Sequence, residues 1–186
     1  MFPRPVTVND LSLLPEIDGT AESTHYSHLN RAVDESSITW RLERRLLRDR
    51  LIDANRLTDD LAFNYKQIAA GIEDGLALCI EINDSPMASL VAQSRAEFRT
   101  LHLIDLRVDY DYRRQGLGTA LVCAAIGHAR DTDLRALTAE TPTHNDPAIQ
   151  LLRKLAFEPA GLDAFRFSNH DLVKEKATLL WCLPLN

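Results

Sequence analysis

A strand-like run, Leu103 to Val108, is followed by Arg113-Arg114-Gln115-Gly116-Leu117-Gly118 and then at once by an apolar, alanine-rich run from Thr119. The chain has seven glycines, and two of them stand one residue apart at this junction. Strand, glycine turn and helix in that order dictate an α/β unit with a helix start directly behind a strand end. A helix start leaves four N–H groups without intrahelical partners and carries partial positive charge. Glycine lets a bulky anion come close to the backbone, so such a junction suits a phosphate. Arg113 and Arg114 add charge that can meet phosphate oxygens. On residue chemistry alone, an ordinary turn before a helix stands as an equal alternative. A P-loop is excluded because no Gly-Lys-Ser/Thr occurs. A dinucleotide fingerprint is excluded because Leu121 stands where its third glycine belongs.

The rest of the chain supplies the setting. Val6 to Asp18 reads as a strand and a turn broken by Pro15, and residues 19–36 read as polar and irregular. Ser37 to Leu47 is ambiguous: Ile38, Trp40 and Leu42 alternate with polar residues at strand period, while the later Arg and Leu content prefers helix. A strand that frays into a polar loop is favoured. Asp59 to Ala70 reads as a helix with Leu61, Tyr65 and Ile68 on one side, ended by Gly71 and Gly75. Leu76 to Ile82, a turn at Asn83-Asp84-Ser85-Pro86, Met87 to Gln93 and Leu101 to Val108 read as an antiparallel meander. Helices at Gly118 to Arg130 and Asp146 to Leu155 then alternate with strands at Leu134 to Glu140, Phe157 to Gly161 and Ala177 to Leu183. The expected fold is α/β (α+β): a single domain over residues 1–186, with a mixed, mostly antiparallel sheet flanked by helices and a β-α-β-α-β C-terminal half.

Composition narrows the function. With 186 residues the chain can bury roughly 70% of its unfolded surface without staples. The net charge of −6 argues against nucleic acid as main partner and is compatible with a cationic substrate. The apolar runs are too short to span a bilayer, and the first ten residues lack the apolar core of a secretion signal, so a cytoplasmic location is expected. Cys79, Cys123 and Cys182 lie far apart in apolar runs and read as buried free thiols; no C-x-x-C pair suggests a metal.

Arg113-x-x-Gly116-x-Gly118 after a strand ending in Val108 resembles the acetyl-coenzyme A motif of the GNAT superfamily of N-acetyltransferases. The resemblance runs from about Leu76 to Leu183 and is greatest to the streptothricin acetyltransferases, through Asp105, Glu140-Thr141, Asn145, Ala148, Phe157, Asp163, Asn169 and Trp181. It implies acetyl-CoA as cosubstrate, with residues 76–183 as the cofactor-binding core and residues 1–75 as a variable acceptor-side part. It implies that pantothenate amides pair with the backbone of Leu106, Arg107 and Val108. Main-chain N–H groups of Arg113, Arg114, Gln115, Gly116, Leu117, Gly118 and Thr119 would hold the pyrophosphate, and Asn145 would touch the pantetheine arm. The cofactor would lie where the strands of Asp105 and Glu140 splay apart. Departures from the family pattern are Leu151-Leu152 in place of Phe-Tyr, Ala156-Phe157 in place of Gly-Phe, Ile104-Asp105 in place of Glu-Asp, and Ala88 in place of glycine. Leu152 cannot protonate a departing thiolate as the family tyrosine often does.

Acyl transfer to an amine needs a neutral nucleophile, while a free alkyl ammonium has a pKa near 10.4, so its proton must go to a base or a water chain. Asp105 and Glu140 are the catalytic candidates. By strand period Asp105 shares a side with Leu103 and Arg107, so an Asp105–Arg107 ion pair is the structural alternative. Glu140 can help bind a cationic amine, or be a solvated strand end. Tyr110 and Tyr112 flank the loop as substitute acids, or as packing residues. His25 and His28 would share a face on a helix but read better as solvated loop histidines; His144 reads as a turn residue beside Asn145. The arginines at 41, 44, 45, 48 and 50 are interleaved with acids and read as a solvated face. The expected activity is transfer of acetyl from acetyl-CoA to a primary amine of a small cationic molecule such as streptothricin, by direct attack in a ternary complex. A peptide N-terminal acetyltransferase and a non-catalytic coenzyme A sensor are the alternatives. Partners are expected to be a small-molecule amine, with neither nucleic acid nor membrane, and with a homodimer left open.

Overall fold

Three antiparallel strands form the centre of the larger of two compact units: β4 (Gly75–Ile82), β5 (Ser85–Arg95) and β6 (Thr100–Val108). The β4–β5 hairpin turns on Asn83 and Asp84, whose φ values of 52° and 61° are those a two-residue hairpin needs. Ser85 and Pro86 therefore belong to β5, not to the turn. Pro86 is tolerated there because Met87 is an extra residue between the pairs Glu81↔Pro86 and Ile80↔Ala88. A second bulge lies in β6: Leu103 pairs with Ala92 and Asp105 with Val91, so Ile104 is the inserted residue.

The structure, a computed structural model, describes residues 2–174 and 176–185. This unit comprises the chain up to Thr20, Ala54–Ala139, and the end from Cys182. Its N-terminal strand β1 is only Arg4–Pro5, beside β4. In place of the expected strand and turn over Val6 to Asp18 there are two 3₁₀ turns, Asp10–Ser12 and Leu14–Glu16, and Pro15 lies in the first turn of the second rather than breaking a strand.

Helix α1 (Asp59–Ala69) forms as its sequence predicts. Thr58 caps its first turn by accepting the Leu61 N–H, and Asp59 and Asp60 face the positive end of the dipole. Tyr65 and Ile68 pack with Val6, Leu14, Ile17, Ala77, Cys79 and Val91 into one buried cluster. The alternate strand residues Leu78, Ile80, Leu90 and Ala92 are also buried and point to the opposite face. Helix α2 (Leu117–Asp131) packs against β4, β5 and β6 and buries Leu121, Val122, Ala125 and Ala129 at helical spacing. Of the cysteines, Cys79 is buried, Cys123 is exposed and Cys182 is half-buried, so the expectation of three buried thiols holds for Cys79 alone. No helix among the described residues is long and apolar enough to cross a membrane.

The second unit comprises Ala21–Asp53 and Glu140–Trp181. Residues expected to be irregular form strand β2 (Ala21–Val33), paired with β3 (Ile38–Asp53). Asp34 closes their turn by accepting the N–H groups of Ser36 and Ser37. The ribbon is mostly exposed, so period-2 burial leaves little mark on its sequence. His25 and His28, three apart on a strand, point to opposite faces, and no metal-binding cluster occurs among the described residues. Helix α3 (Asp146–Lys154) is capped by Asn145, whose Oδ1 accepts the Ala148 N–H at 3.2 Å. Arg44 forms a two-pronged pair with Asp146 at 2.8 and 2.9 Å, so this arginine is not part of a purely solvated face. Strands β7 (Ala136–Pro142), β8 (Glu158–Asp163) and β9 (Thr178–Pro184) complete a sheet ordered β1-β4-β5-β6-β7-β9-β8. The mixed α/β class expected from the sequence holds, with β6 and β7 parallel.

Arg4 links the N-terminus to this sheet: its guanidinium donates to both Asp10 oxygens at 2.8 Å and also pairs with Glu81. The Arg4 hydrogen bonds hold the Asp10 carboxyl well below its ordinary range. A carboxyl depressed in the folded state adds stability above its unfolded pKa, near 3.9, and loses it as pH falls through the folded value. Asp10→Asn is therefore expected to lower stability by about 1–3 kcal/mol at pH 7. Urea midpoints of the two proteins should converge progressively below pH 4, and a gap that stays constant down to pH 2 would contradict this.

Candidate functional site

Strand β6 is paired on both sides for only part of its length. Its parallel ladder with β7 runs from Thr100↔Ala136 to Leu103↔Ala139. Its antiparallel ladder with β5 continues to Val108. The change comes at the Ile104 bulge, which turns the strand and shifts its alternation by one. Main-chain groups of Ile104 to Val108 that point away from β5 thus lie beyond the β7 ladder. The same shift corrects the sequence-based face: Asp105 and Arg107 share a side, opposite Val91 and Ser89, while Leu103 lies on the other.

On that side a buried polar cluster fixes the strand. Arg107 Nε and Nη2 donate to Asp105 Oδ2 and Oδ1 at 2.8 and 3.1 Å. The Arg107 side chain is fully buried and that of Asp105 is 8% exposed. The Tyr65 hydroxyl lies 2.9 Å from Ser89 Oγ and donates to Asp105 Oδ2 at 3.0 Å. Burial, then the Asp105 charge, pushes the Tyr65 phenol well above 10, so it stays protonated. Arg107 Nη1 also reaches the Asn55 carbonyl at 3.3 Å. Of the two sequence readings of Asp105, the ion pair with Arg107 is thus present, and both carboxylate oxygens already hold donors.

After β6 the chain makes a tight, self-bonded loop. Asp109 N donates to the Met87 carbonyl, and Asp109 accepts the Asp111 N–H and the Asp18 N–H. Tyr110–Tyr112 form a 3₁₀ turn, and the Arg113 guanidinium sits 5.3 Å over the Tyr110 ring while donating to the Val108 carbonyl at 3.2 and 3.3 Å. Arg113 thereby ties the loop to the strand end. Arg114 and Gly116 both have positive φ, 62° and 90°. Gly116 is the N-cap of α2, and no side chain caps that end. No acid stands in the first turn, so no side chain of that turn neutralises the positive end of the helix. A Cβ built on Gly116 would meet nothing within 4 Å. The space beside Gly116 is thus open, as a bulky anion approaching the backbone requires, and an uncapped helix start of this kind is where a diphosphate such as that of acetyl-CoA would be held.

In the second unit Glu140, 28% exposed, pairs with Arg166 at 2.8 Å. Trp181 is buried and donates its indole N–H to Thr141 at 2.7 Å. The turn before α3 is held by Ser27 N to the Thr143 carbonyl and Thr143 N to the Ala177 carbonyl, each 2.8 Å. His144 on that turn is half-buried, not a free surface residue. Leu152, at the place of the family tyrosine, is buried in α3.

The architecture and the glycine loop together define a coenzyme A-type acyltransferase fold. The family model for the acetyltransferase (GNAT) family matches residues 39–157. The chain belongs to the GNAT family. A protein of Bacillus anthracis assigned as a streptothricin acetyltransferase, in complex with acetyl coenzyme A, superposes with a TM-score of 0.79 at 18% identity, over 99% of each chain. Nourseothricin acetyltransferase gives 0.76 at 20% identity, over 99% of this chain and 98% of that one. These are likenesses of fold. An uncharacterized N-acetyltransferase of Methanocaldococcus jannaschii is 29% identical over 101 residues, 50% of this chain and 43% of that protein, so the match spans less than half its length.

Sequence reasoning missed Tyr65 and Ser89. Tyr65 carries the one usable signal, since a tyrosine on the buried face of a helix needs a partner for its hydroxyl. Gly116→Val puts a β-branched residue at φ 90° and screens the first-turn amides. We expect at least a tenfold loss of acetyl-CoA affinity by calorimetry, about 1.4 kcal/mol. An unchanged dissociation constant would count against this loop as the anion site.

Proposed function

We propose that this protein transfers the acetyl group of acetyl-CoA to a primary amine of a small cationic molecule, of which a streptothricin-like antibiotic is the leading candidate. The observation that carries the reading is the uncapped N-terminus of α2 behind an open Gly116 of positive φ. The family membership and the fold likeness to two antibiotic acetyltransferases support it.

The backbone of Leu106, Arg107 and Val108 would pair with the pantothenate amides. Main-chain N–H groups from Arg113 to Thr119 would hold the diphosphate, and Asn145 would contact the pantetheine arm. When bound, acetyl-CoA supplies an acetyl thioester whose thiolate is a fair leaving group, since an unperturbed thiol has a pKa near 8.5. Because both Asp105 oxygens already accept hydrogen bonds, its part in this reading is positioning: it holds Arg107 and the path of β6 past the bulge. Glu140, partly exposed, has the charge to attract an ammonium group and would help to bind the acceptor. Leu152 has no proton to give, so the thiolate would be protonated from water or by a group other than the family tyrosine.

The test is release of free thiol from acetyl-CoA across a panel of streptothricin, polyamines, aminoglycosides and a peptide with a free N-terminus. We expect turnover with the cationic small molecules and a raised KM for them in Glu140→Gln. Tight acetyl-CoA binding with no thiol release on any amine would leave the coenzyme A sensor as the better reading; turnover on the peptide alone would shift the substrate class.

A further inference from the structure

The β2–β3 ribbon of the second unit has two unlike faces. Alternate residues of a strand lie on opposite sides, so the pairs Leu29↔Leu42, Arg31↔Trp40 and Val33↔Ile38 share one face, and His28↔Glu43 and Asn30↔Arg41 the other. The polar face is satisfied within the ribbon: Glu43 pairs with Arg41 and Arg45, and His28 hydrogen-bonds to Asn30. The apolar face is left open. Val33 is 59% exposed, Ile38 61% and Leu42 39%, while Arg31 lies 5.5 Å over the Trp40 ring and covers part of it. Alternation of this kind belongs to a strand with one face packed and one in water. Among the described residues nothing buries the Val33–Ile38 end. A two-stranded ribbon with no second layer is marginal in water, so its apolar stripe needs cover.

At its root the same face borders a groove of about 380 Å³. Leu42, Ile149 of α3, Phe157 and Trp181 form its apolar lining, and Arg153 and Glu158 are among its polar residues. The two-pronged Arg44–Asp146 pair ties the ribbon to α3 beside this groove. One face thus carries an exposed aliphatic pair at its tip and an apolar recess at its root.

We propose that this face is the interface of a two-fold homodimer, in which the Val33–Ile38 end of each ribbon seats in the groove between Leu42 and α3 of the other copy. Self-complementarity selects a second copy of this chain. A two-fold contact requires one patch to hold both halves of the fit at different places along it. Two such stripes laid antiparallel put tip over root at both ends, with the Trp40 level at the centre. Size argues the same way. From Leu29 to Val33 the stripe is only about 16 Å long at 3.3 Å per residue. Alone it falls short of the roughly 800 Å² per partner that a stable complex buries. Filling both grooves brings α3 into the contact twice. Charge agrees, since Glu35 beside the tip and Arg153 on the groove are opposite in sign, and neither has a partner among the described residues.

Sedimentation equilibrium of the full chain tests the interface, and it reads mass alone, so its outcome does not depend on the acetyl-transfer reading. The wild type is expected at twice the chain mass, with a dissociation constant of about 1 μM or tighter. Ile38→Glu spoils the tip and Leu42→Lys spoils the recess, each on both sides of the two-fold, so each should weaken the dimer at least about a hundredfold. An equimolar mixture of these two variants should dimerise again. In the mixed dimer one half is native and the other sets Glu against Lys, and this recovery also shows that both variants fold. Thr39→Glu, on the polar face, should leave the wild-type constant unchanged. A wild type that stays monomeric to about a hundredfold above that constant overturns the proposal and leaves the stripe to a partner of another kind. A dimer indifferent to Ile38→Glu or Leu42→Lys, or a mixture that fails to recover, also overturns it. So does a ladder of ever larger species, which marks an open contact instead of a closed pair.

Discussion

The ion pair of Asp105 and Arg107 sits on β6 immediately beyond the inserted Ile104, where pairing with β7 has stopped. Two charges removed from water cost several kcal/mol each unless geometry and further hydrogen bonds offset that cost. Here the pairing is two-pronged, Tyr65 donates to the same carboxylate, and Arg107 has a hydrogen left for the Asn55 carbonyl. Burial works against the Arg107 charge and the Asp105 hydrogen bonds outweigh it, so the guanidinium stays firmly protonated. The pair therefore acts as a fixed staple. A strand that bulges and loses one neighbour would otherwise be free to wander, and its course decides where Val108 and the loop after it begin.

The loop continues the same logic. Arg113 returns to the Val108 carbonyl and so ties the start of the glycine turn to the strand end. Gly116 at φ 90° then lets α2 start without a side chain over its first turn. The usual cap residues would have satisfied those amides internally and weakened them as anion donors. In the proposed reading, stability given up at this helix end suits it to a diphosphate. The polar cluster under β6 and the open helix start are thus two halves of one arrangement: one makes the position rigid, the other leaves it unsatisfied.

Much of this was legible in the residues. The meander, both glycine-flanked helices and the strand–glycine–helix junction follow from periodicity and turn chemistry, and the structure places them within a few residues of expectation. The start of β3 was legible in the alternation of Ile38, Trp40 and Leu42, but β2 and the continuation of β3 to Asp53 were hidden, because a mostly exposed ribbon has little buried face to impose a pattern; pairs such as His28↔Glu43 and Asn30↔Arg41 lie across the strands instead. The Ile104 bulge was hidden for a different reason. Ile104 and Asp105 give no local sign of an extra residue, yet that insertion reverses which neighbour shares a face with Asp105. The Asp105–Arg107 pair was legible from strand period, but the third partner, Tyr65 on α1, was not, and His144, which looked like a surface turn residue, has a buried ring nitrogen.

We propose main-chain amides at the start of α2 as the diphosphate donors. Residue-resolved amide hydrogen exchange with and without acetyl-CoA would show it. Exchange at Arg113 to Thr119 is expected to slow strongly on binding, together with amides of Leu106 to Val108. Saturating acetyl-CoA that protects other parts of the chain while leaving exchange at Gly116, Leu117 and Gly118 unchanged would contradict it.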